Sequence, residues 1–74
     1  MKTKSTNNFT SKIANNIKKI RQEKGISQDR LSKLADLSLN TVVNVESGAN
    51  PNPTIETIRK IAKALNISID AILK

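Results

Sequence analysis

The chain contains 74 residues, of which thirteen are Lys or Arg and six are Asp or Glu, and its formal net charge is +7; it has no Cys and no His. A chain of this length supports one small domain, and without Cys or His it lacks disulfides, the commonest metal ligands and the usual nucleophile and base pairs. The composition therefore argues against an enzyme and predicts no cofactor, whereas the positive charge favours a polyanionic partner.

The choice of polyanion depends on aromatic content and hydropathy. Phe9 is the only aromatic residue, so the sequence offers no stacking platform of the kind that binds single-stranded nucleic acids. A membrane surface is disfavoured, because the basic residues alternate with Ile in short helical patterns without interfacial Trp. The lack of a long apolar run argues against a signal peptide or a transmembrane helix and predicts a cytoplasmic protein. Duplex DNA remains the better candidate.

The first nine residues, MKTKSTNNF, are polar and show no periodicity, which predicts a flexible basic N-terminal arm ahead of a single domain over residues 10–74. Helix one follows from Thr10. Thr10 and Ser11 offer its N-cap, Ile residues recur at the spacing of one helical face, and Gly25 provides a C-terminal stop. These apolar residues are Ile13, Ile17 and Ile20.

Two short helices joined by a tight turn follow. Ser27 is the predicted N-cap of helix two. Three residues, 36–38, separate that helix from helix three over residues 39–47, which is capped by Ser38 and closed by Gly48. The predicted apolar side of helix two is Leu31, Leu34 and Ala35. This arrangement is typical of a helix-turn-helix, whose second helix enters the major groove of DNA.

The rest of the sequence predicts two more helices. Segment 49–53 contains two Pro and two Asn, which is typical of a loop. Thr54 caps helix four and Ser68 caps a short fifth helix. The predicted apolar stripe of helix four is Ile55, Ile58, Ile61, Ala62 and Leu65. The fold class is therefore all-α, a bundle of about five short helices.

Several motifs occur in a fixed order along residues 25–73. They are the Gly-Ile-Ser-Gln segment at residues 25–28, Leu31, the Leu-Ser turn at residues 37 and 38, Val42, Val45, Glu46-Ser47-Gly48, the Pro53-Thr54 start of helix four and the closing KALNIS. Together they resemble the helix-turn-helix domain of the lambda-repressor-like family, the phage repressor and Cro type, which includes xenobiotic-response-element type regulators. The resemblance implies a five-helix bundle and a sequence-specific transcription regulator, usually dimeric.

The chain departs from the family pattern at three places. The family often has Ala where this chain has Ser32, and Ser is nearly as small as Ala. The family often has Gly where this chain has Asp36, a residue that tolerates the left-handed conformation better than most. Family members frequently hold Lys or Arg just after the glycine that ends helix three, whereas this chain has Ala49 and Asn50. The resemblance also implies that Glu46 ties helix three to its surroundings by a hydrogen bond or an ion pair.

Helix three lies inside a segment, residues 34–58, that contains no Lys or Arg. Its helical period predicts one side made of Ser38, Val42 and Val45, which should face the core. Asn can pair with the N6 and N7 edge of adenine, and an aliphatic side chain can pack on the thymine methyl group. The candidate base-reading residues on the other side are therefore Leu39, Asn40, Val43 and Asn44. The resemblance agrees for Leu39, Asn40 and Asn44; the alternative is a small protein-contact patch.

Candidate phosphate contacts come from helix N-termini, the loop and helix one. Gln28 and Ser38 lie at helix N-termini, where donors suit an anion, and the resemblance places phosphate contacts on both. The other candidates are Thr41, Asn50, Asn52, Lys12 and Lys18.

The C-terminal residues Ile69, Ile72 and Leu73 are more apolar material than so small a bundle is expected to cover, and they form the predicted dimer interface. The first hypothesis is a repressor or a small autoregulated controller that binds a palindromic operator as a homodimer. The alternative is a protein-interaction module, such as an antitoxin or a coactivator with the same fold. The missing basic residues after helix three favour this alternative, and the Asn residues of helix three favour DNA.

Overall fold

The computed structural model of this protein describes residues 8–50 and 52–74, so residues 1–7 of the predicted arm lie outside the described residues. The described residues form five α-helices, namely α1 (Asn8–Glu23), α2 (Gln28–Ala35), α3 (Leu39–Ser47), α4 (Ile55–Leu65) and α5 (Ile69–Leu73). No strand occurs in this part of the chain, which confirms the all-α fold class. α1 begins at Asn8 rather than Thr10, so the last two residues assigned to the arm are helical.

Hydroxyl side chains start four of the helices. Ser27, Ser38, Thr54 and Ser68 each have extended backbone. The side-chain oxygen of each accepts a hydrogen bond from the backbone N–H three residues later, at 3.0, 3.0, 3.1 and 3.3 Å. Each bond satisfies one of the first-turn donors that have no partner within the helix. These four predicted N-caps are confirmed. The predicted cap of helix one is wrong, because α1 begins at Asn8 and residues 10 and 11 lie inside it.

Left-handed residues end α2 and α3 and set the turn between them. Asp36 has φ 57°, and the N–H of Leu37 donates to the carbonyl of Ser32 at 2.9 Å. This bond closes the C-terminus of α2 in the manner of a Schellman motif. Asp36 therefore adopts the left-handed conformation at a position where the resemblance led us to expect Gly. Gly48, with φ 84°, is also left-handed and ends α3.

The core lies where α1, α2, α3, α4 and α5 meet. Its largest fully buried side chains are Ile17, Leu31, Val42, Ile61, Leu65 and Ile72. The prediction of a core-facing position is wrong for three residues. Leu34 and Ile55 are 46% and 62% exposed, and Ser38 is exposed. Leu34 lies at the edge of the α2 and α4 contact, Ile55 is the first residue of α4, and Ser38 caps α3 rather than packing.

The burial of Ile72 corrects the predicted dimer interface. Its side chain is fully buried within the single chain, because α5 packs against α1 and α4. Asn16 strengthens this contact, since its Nδ2 donates to the carbonyl oxygen of Ile72 at 2.8 Å. Ile69 and Leu73 are only partly buried against the core. The bundle thus covers the residue that the sequence assigned to a partner.

None of the helices in the described residues combines the length and the apolar character that a membrane span requires.

Candidate nucleic-acid interface

α3 has one buried face and one face open to solvent. Val42 and Val45 are 0% and 2% exposed, and they attach the helix to the core. On the open face, Leu39 and Val43 are 44% and 36% exposed, while Asn40 is exposed and Asn44 half-buried. The predicted division of the helix is confirmed for these residues.

The open face of α3 combines two chemistries that suit the edges of base pairs. Each Asn amide carries both donor and acceptor atoms, and adenine presents a matching N6 donor and N7 acceptor in the major groove. The aliphatic side chains of Leu39 and Val43 have no polar atoms, so they suit the thymine methyl group rather than a polar edge. The four side chains together favour A·T pairs.

Two hydroxyl side chains lie at the N-terminus of α3. Ser38 Oγ accepts from the Thr41 backbone N–H at 3.0 Å, and its oxygen lies 2.8 Å from Thr41 Oγ1. Ser38 is exposed and Thr41 half-buried. The first-turn N–H groups and the helix dipole make such an end attractive to an anion.

The N-terminus of α2 carries a side-chain contact that sequence reasoning missed. Gln28, the first residue of α2, is half-buried, and its Nε2 donates to Glu46 Oε1 at 3.0 Å. One of its two amide N–H bonds is used in this way, which leaves the other for a second acceptor. Nothing in the spacing of the two residues, 18 positions apart, signals the contact.

Glu46 is the centre of a buried polar cluster. Arg21 Nε donates to Glu46 Oε2 at 2.6 Å and Arg21 Nη2 donates to Oε1 at 3.0 Å. Arg21 Nη1 also donates to the carbonyl of Ile26 at 2.7 Å. The side chains of Arg21 and Glu46 are only 10% and 2% exposed. This confirms that Glu46 ties α3 to its surroundings, here to the end of α1 and the segment that leads into α2.

The loop after α3 is shaped by its Asn residues. The backbone N–H of Asn50 donates to the carbonyl of Asn44 at 3.0 Å, and Asn50 Oδ1 accepts from the Asn52 N–H at 3.2 Å. Asn50 is half-buried and Asn52 exposed. The Nδ2 groups of both residues are donors, so the loop offers neutral contacts.

α3 itself carries no basic residue. Lys12 and Lys18 are exposed on α1. The acids in the first turns of α2 and α4 are paired with bases on the same helix, Asp29 with Lys33 at 2.9 Å and Glu56 with Arg59 at 2.6 Å. Among residues 8–50 and 52–74, no cluster of three or more His, Cys, Asp or Glu side chains could hold a metal ion.

Comparison with known proteins places this chain in a family. The helix-turn-helix family model matches residues 17–72. The HTH-type transcriptional regulator SinR of Bacillus subtilis (strain 168) is 30% identical over 61 residues, which cover 82% of this chain and 55% of SinR. SinR of Bacillus licheniformis gives the same values. The chain therefore spans about half the length of these curated relatives.

Two solved structures have the same fold. An HTH_3 family transcriptional regulator from Vibrio cholerae superposes with a TM-score of 0.82 and 38% identity, covering 86% of this chain and 35% of that one. A point mutant of the restriction-modification controller protein C.Esp1396I superposes with a TM-score of 0.81 and 32% identity. That match covers 88% of this chain and 83% of the controller.

Proposed function

This chain belongs to the lambda-repressor-like helix-turn-helix family of DNA-binding transcriptional regulators, and from that premise we propose that it binds a palindromic operator as a homodimer, with α3 in the major groove. The observation that carries the proposal is the composition of the open face of α3. A helix that buries Val42 and Val45 exposes two aliphatic side chains beside two amides, and it does so in a protein of net charge +7.

In this proposal, base readout belongs to Leu39, Asn40, Val43 and Asn44. An Asn that pairs with adenine through two hydrogen bonds discriminates against other bases by about 1–3 kcal/mol. A charged side chain would add attraction to every phosphate and hence to every sequence, whereas the neutral α3 adds affinity only where the bases fit. The half-sites are therefore expected to be rich in A·T pairs.

The phosphate contacts are assigned to neutral donors near α3 and to lysines on α1. Gln28 and Ser38 lie at helix N-termini, which are attractive to anions. The remaining proposed contacts are Thr41, Asn50, Asn52, Lys12 and Lys18. Neutral donors fix the position of the duplex, and the exposed lysines supply long-range attraction.

The dimer surface is assigned to the exposed parts of Ile69 and Leu73. Both residues are partly buried on the core of one chain, so a second copy would cover the remainder. Two-fold symmetry would place the two α3 helices about 34 Å apart, on successive major grooves. A small autoregulated controller or a repressor fits this arrangement, and the match to most of the length of a restriction-modification controller supports a protein of that kind.

Selection of bound duplexes from a randomised DNA pool tests the proposal, with non-specific competitor present and near-physiological salt. We expect enrichment of an inverted repeat with A·T pairs in each half-site. Bound DNA that stays random, with binding that disappears as salt rises, would show that only the net charge acts and would favour the protein-interaction alternative.

Alanine variants then test the assignment on α3. Asn40→Ala and Asn44→Ala are each expected to lose about 1–3 kcal/mol on the selected duplex and little on a scrambled one. Asn15→Ala is the matched control, because Asn15 is an exposed Asn on α1. Equal losses for all three variants would remove the basis for readout by α3.

A further inference from the structure

We propose that Glu46 is a positioning residue for DNA binding: it orients the amide of Gln28 toward a phosphate. The proposal rests on the proposed function, because it concerns the same interface. It goes further by giving a binding role to a buried carboxylate that the sequence assigned only to holding α3 in place.

The geometry determines which way the Gln28 amide faces. Glu46 Oε1 accepts from Gln28 Nε2 at 3.0 Å and from Arg21 Nη2 at 3.0 Å. An ionised carboxylate only accepts hydrogen bonds, so the NH2 end of the amide must face it and the oxygen end must face away. Arg21 holds the carboxylate at 2.6 Å through its other oxygen, so Glu46 cannot rotate to follow Gln28.

The fixed amide is a better phosphate ligand than a mobile one. One N–H of Gln28 is bound to Glu46, and its second N–H remains as a donor on the first residue of α2. A side chain that is already ordered loses less conformational entropy when it binds. Its contact with a charged oxygen is also stronger than a contact between neutral groups.

The test uses the selected duplex with one phosphate at a time replaced by a neutral methylphosphonate. Four proteins are compared: the wild type, Gln28→Ala, the double variant Arg21→Met with Glu46→Leu, and a control double variant. The first double variant removes the carboxylate without leaving a buried charge unpaired. The control, Arg59→Met with Glu56→Leu, removes an acid and a base from an exposed pair.

In the wild type, we expect one methylphosphonate position to weaken binding about tenfold, as loss of one charged hydrogen bond would. That position should lose its effect in Gln28→Ala and in the Glu46 double variant, and keep it in the control. The affinity ratio between the selected duplex and one with an A·T pair exchanged should stay within about twofold in all four proteins.

Two results would overturn the proposal. One is an undiminished methylphosphonate effect in the Glu46 double variant; the other is a parallel loss of base preference, which a merely structural role would cause. Should that double variant not fold, the hydrogen-exchange rate of the Gln28 side-chain NH2 protons in the wild type provides the test. Exchange as fast as that of the exposed Asn15 side-chain amide would exclude a fixed amide. Failure of the proposed function is distinguishable, since the wild type would then select no sequence at all.

Discussion

Replacement of Arg21 by Met is expected to destabilise the fold severely. In the native protein the Arg21 guanidinium donates two hydrogen bonds to Glu46 and one to the carbonyl of Ile26. The Arg21→Met variant leaves a carboxylate that is 2% exposed and whose one remaining partner among the described residues is the amide of Gln28. Removal of one member of a buried ion pair costs about 3–5 kcal/mol, because the remaining charge is desolvated and uncompensated.

The size of this loss matters for so small a protein. At about 0.05–0.15 kcal/mol per residue, a domain of 74 residues has a free energy of unfolding of roughly 4–11 kcal/mol. Arg21→Met therefore removes roughly a quarter or more of the total. The double variant Arg21→Met with Glu46→Leu leaves no buried charge and should lie within about 1 kcal/mol of the wild type or above it. The exposed Glu56 and Arg59 pair should contribute at most about 1 kcal/mol.

Urea unfolding followed by far-ultraviolet circular dichroism measures these differences, and the slope of free energy against urea checks that the same surface is exposed in each variant. The reasoning is refuted if Arg21→Met lies within about 1 kcal/mol of the wild type. It is also refuted if the double variant is as unstable as the single one, because the loss would then come from packing rather than from the unpaired carboxylate.

Three further predictions concern the core, the bases and the phosphates. Ile72→Ala should cost about 2–5 kcal/mol in urea unfolding, whereas Ile55→Ala, at a position that is 62% exposed, should cost at most about 0.5 kcal/mol; similar costs would show that α5 is not part of the core. In fluorescence anisotropy titrations, deoxyuridine in place of a contacted thymine should weaken binding about fourfold, the value of one buried methyl group. Val43→Ala should reduce this difference in affinity between the two duplexes. Lys12→Ala and Lys18→Ala should each lower the slope of log affinity against log salt by about one if the residue contacts a phosphate, and an unchanged slope would assign that lysine to the solvated surface.

Part of the site could be predicted because it depends on a single helix. Val42 and Val45 lie on one side of α3, and Leu39 and Val43 on another, whatever the helix packs against. Once the two Val residues enter the core, the exposure of the other pair follows. The contact between Gln28 and Glu46 could not be predicted, since it joins two helices and depends on how they cross.

The sequence by itself determined where α2, α3, α4 and α5 begin and where α2 and α3 end. The caps Ser27, Ser38, Thr54 and Ser68 bond to amides three residues away, and the left-handed Asp36 and Gly48 act on the preceding turn. Such interactions are complete within one helical turn, so the local sequence is sufficient to specify them.

Only the tertiary structure decided which apolar residues are covered. Leu34 fits the apolar stripe of its helix, yet it is 46% exposed, whereas Ile72, near the chain end, is fully buried. The partner of Glu46 was also open in the sequence, because Arg21 lies 25 positions away. These outcomes depend on the angles and distances between helices that are remote along the chain, and helical periodicity specifies only the direction of a side chain about its own axis.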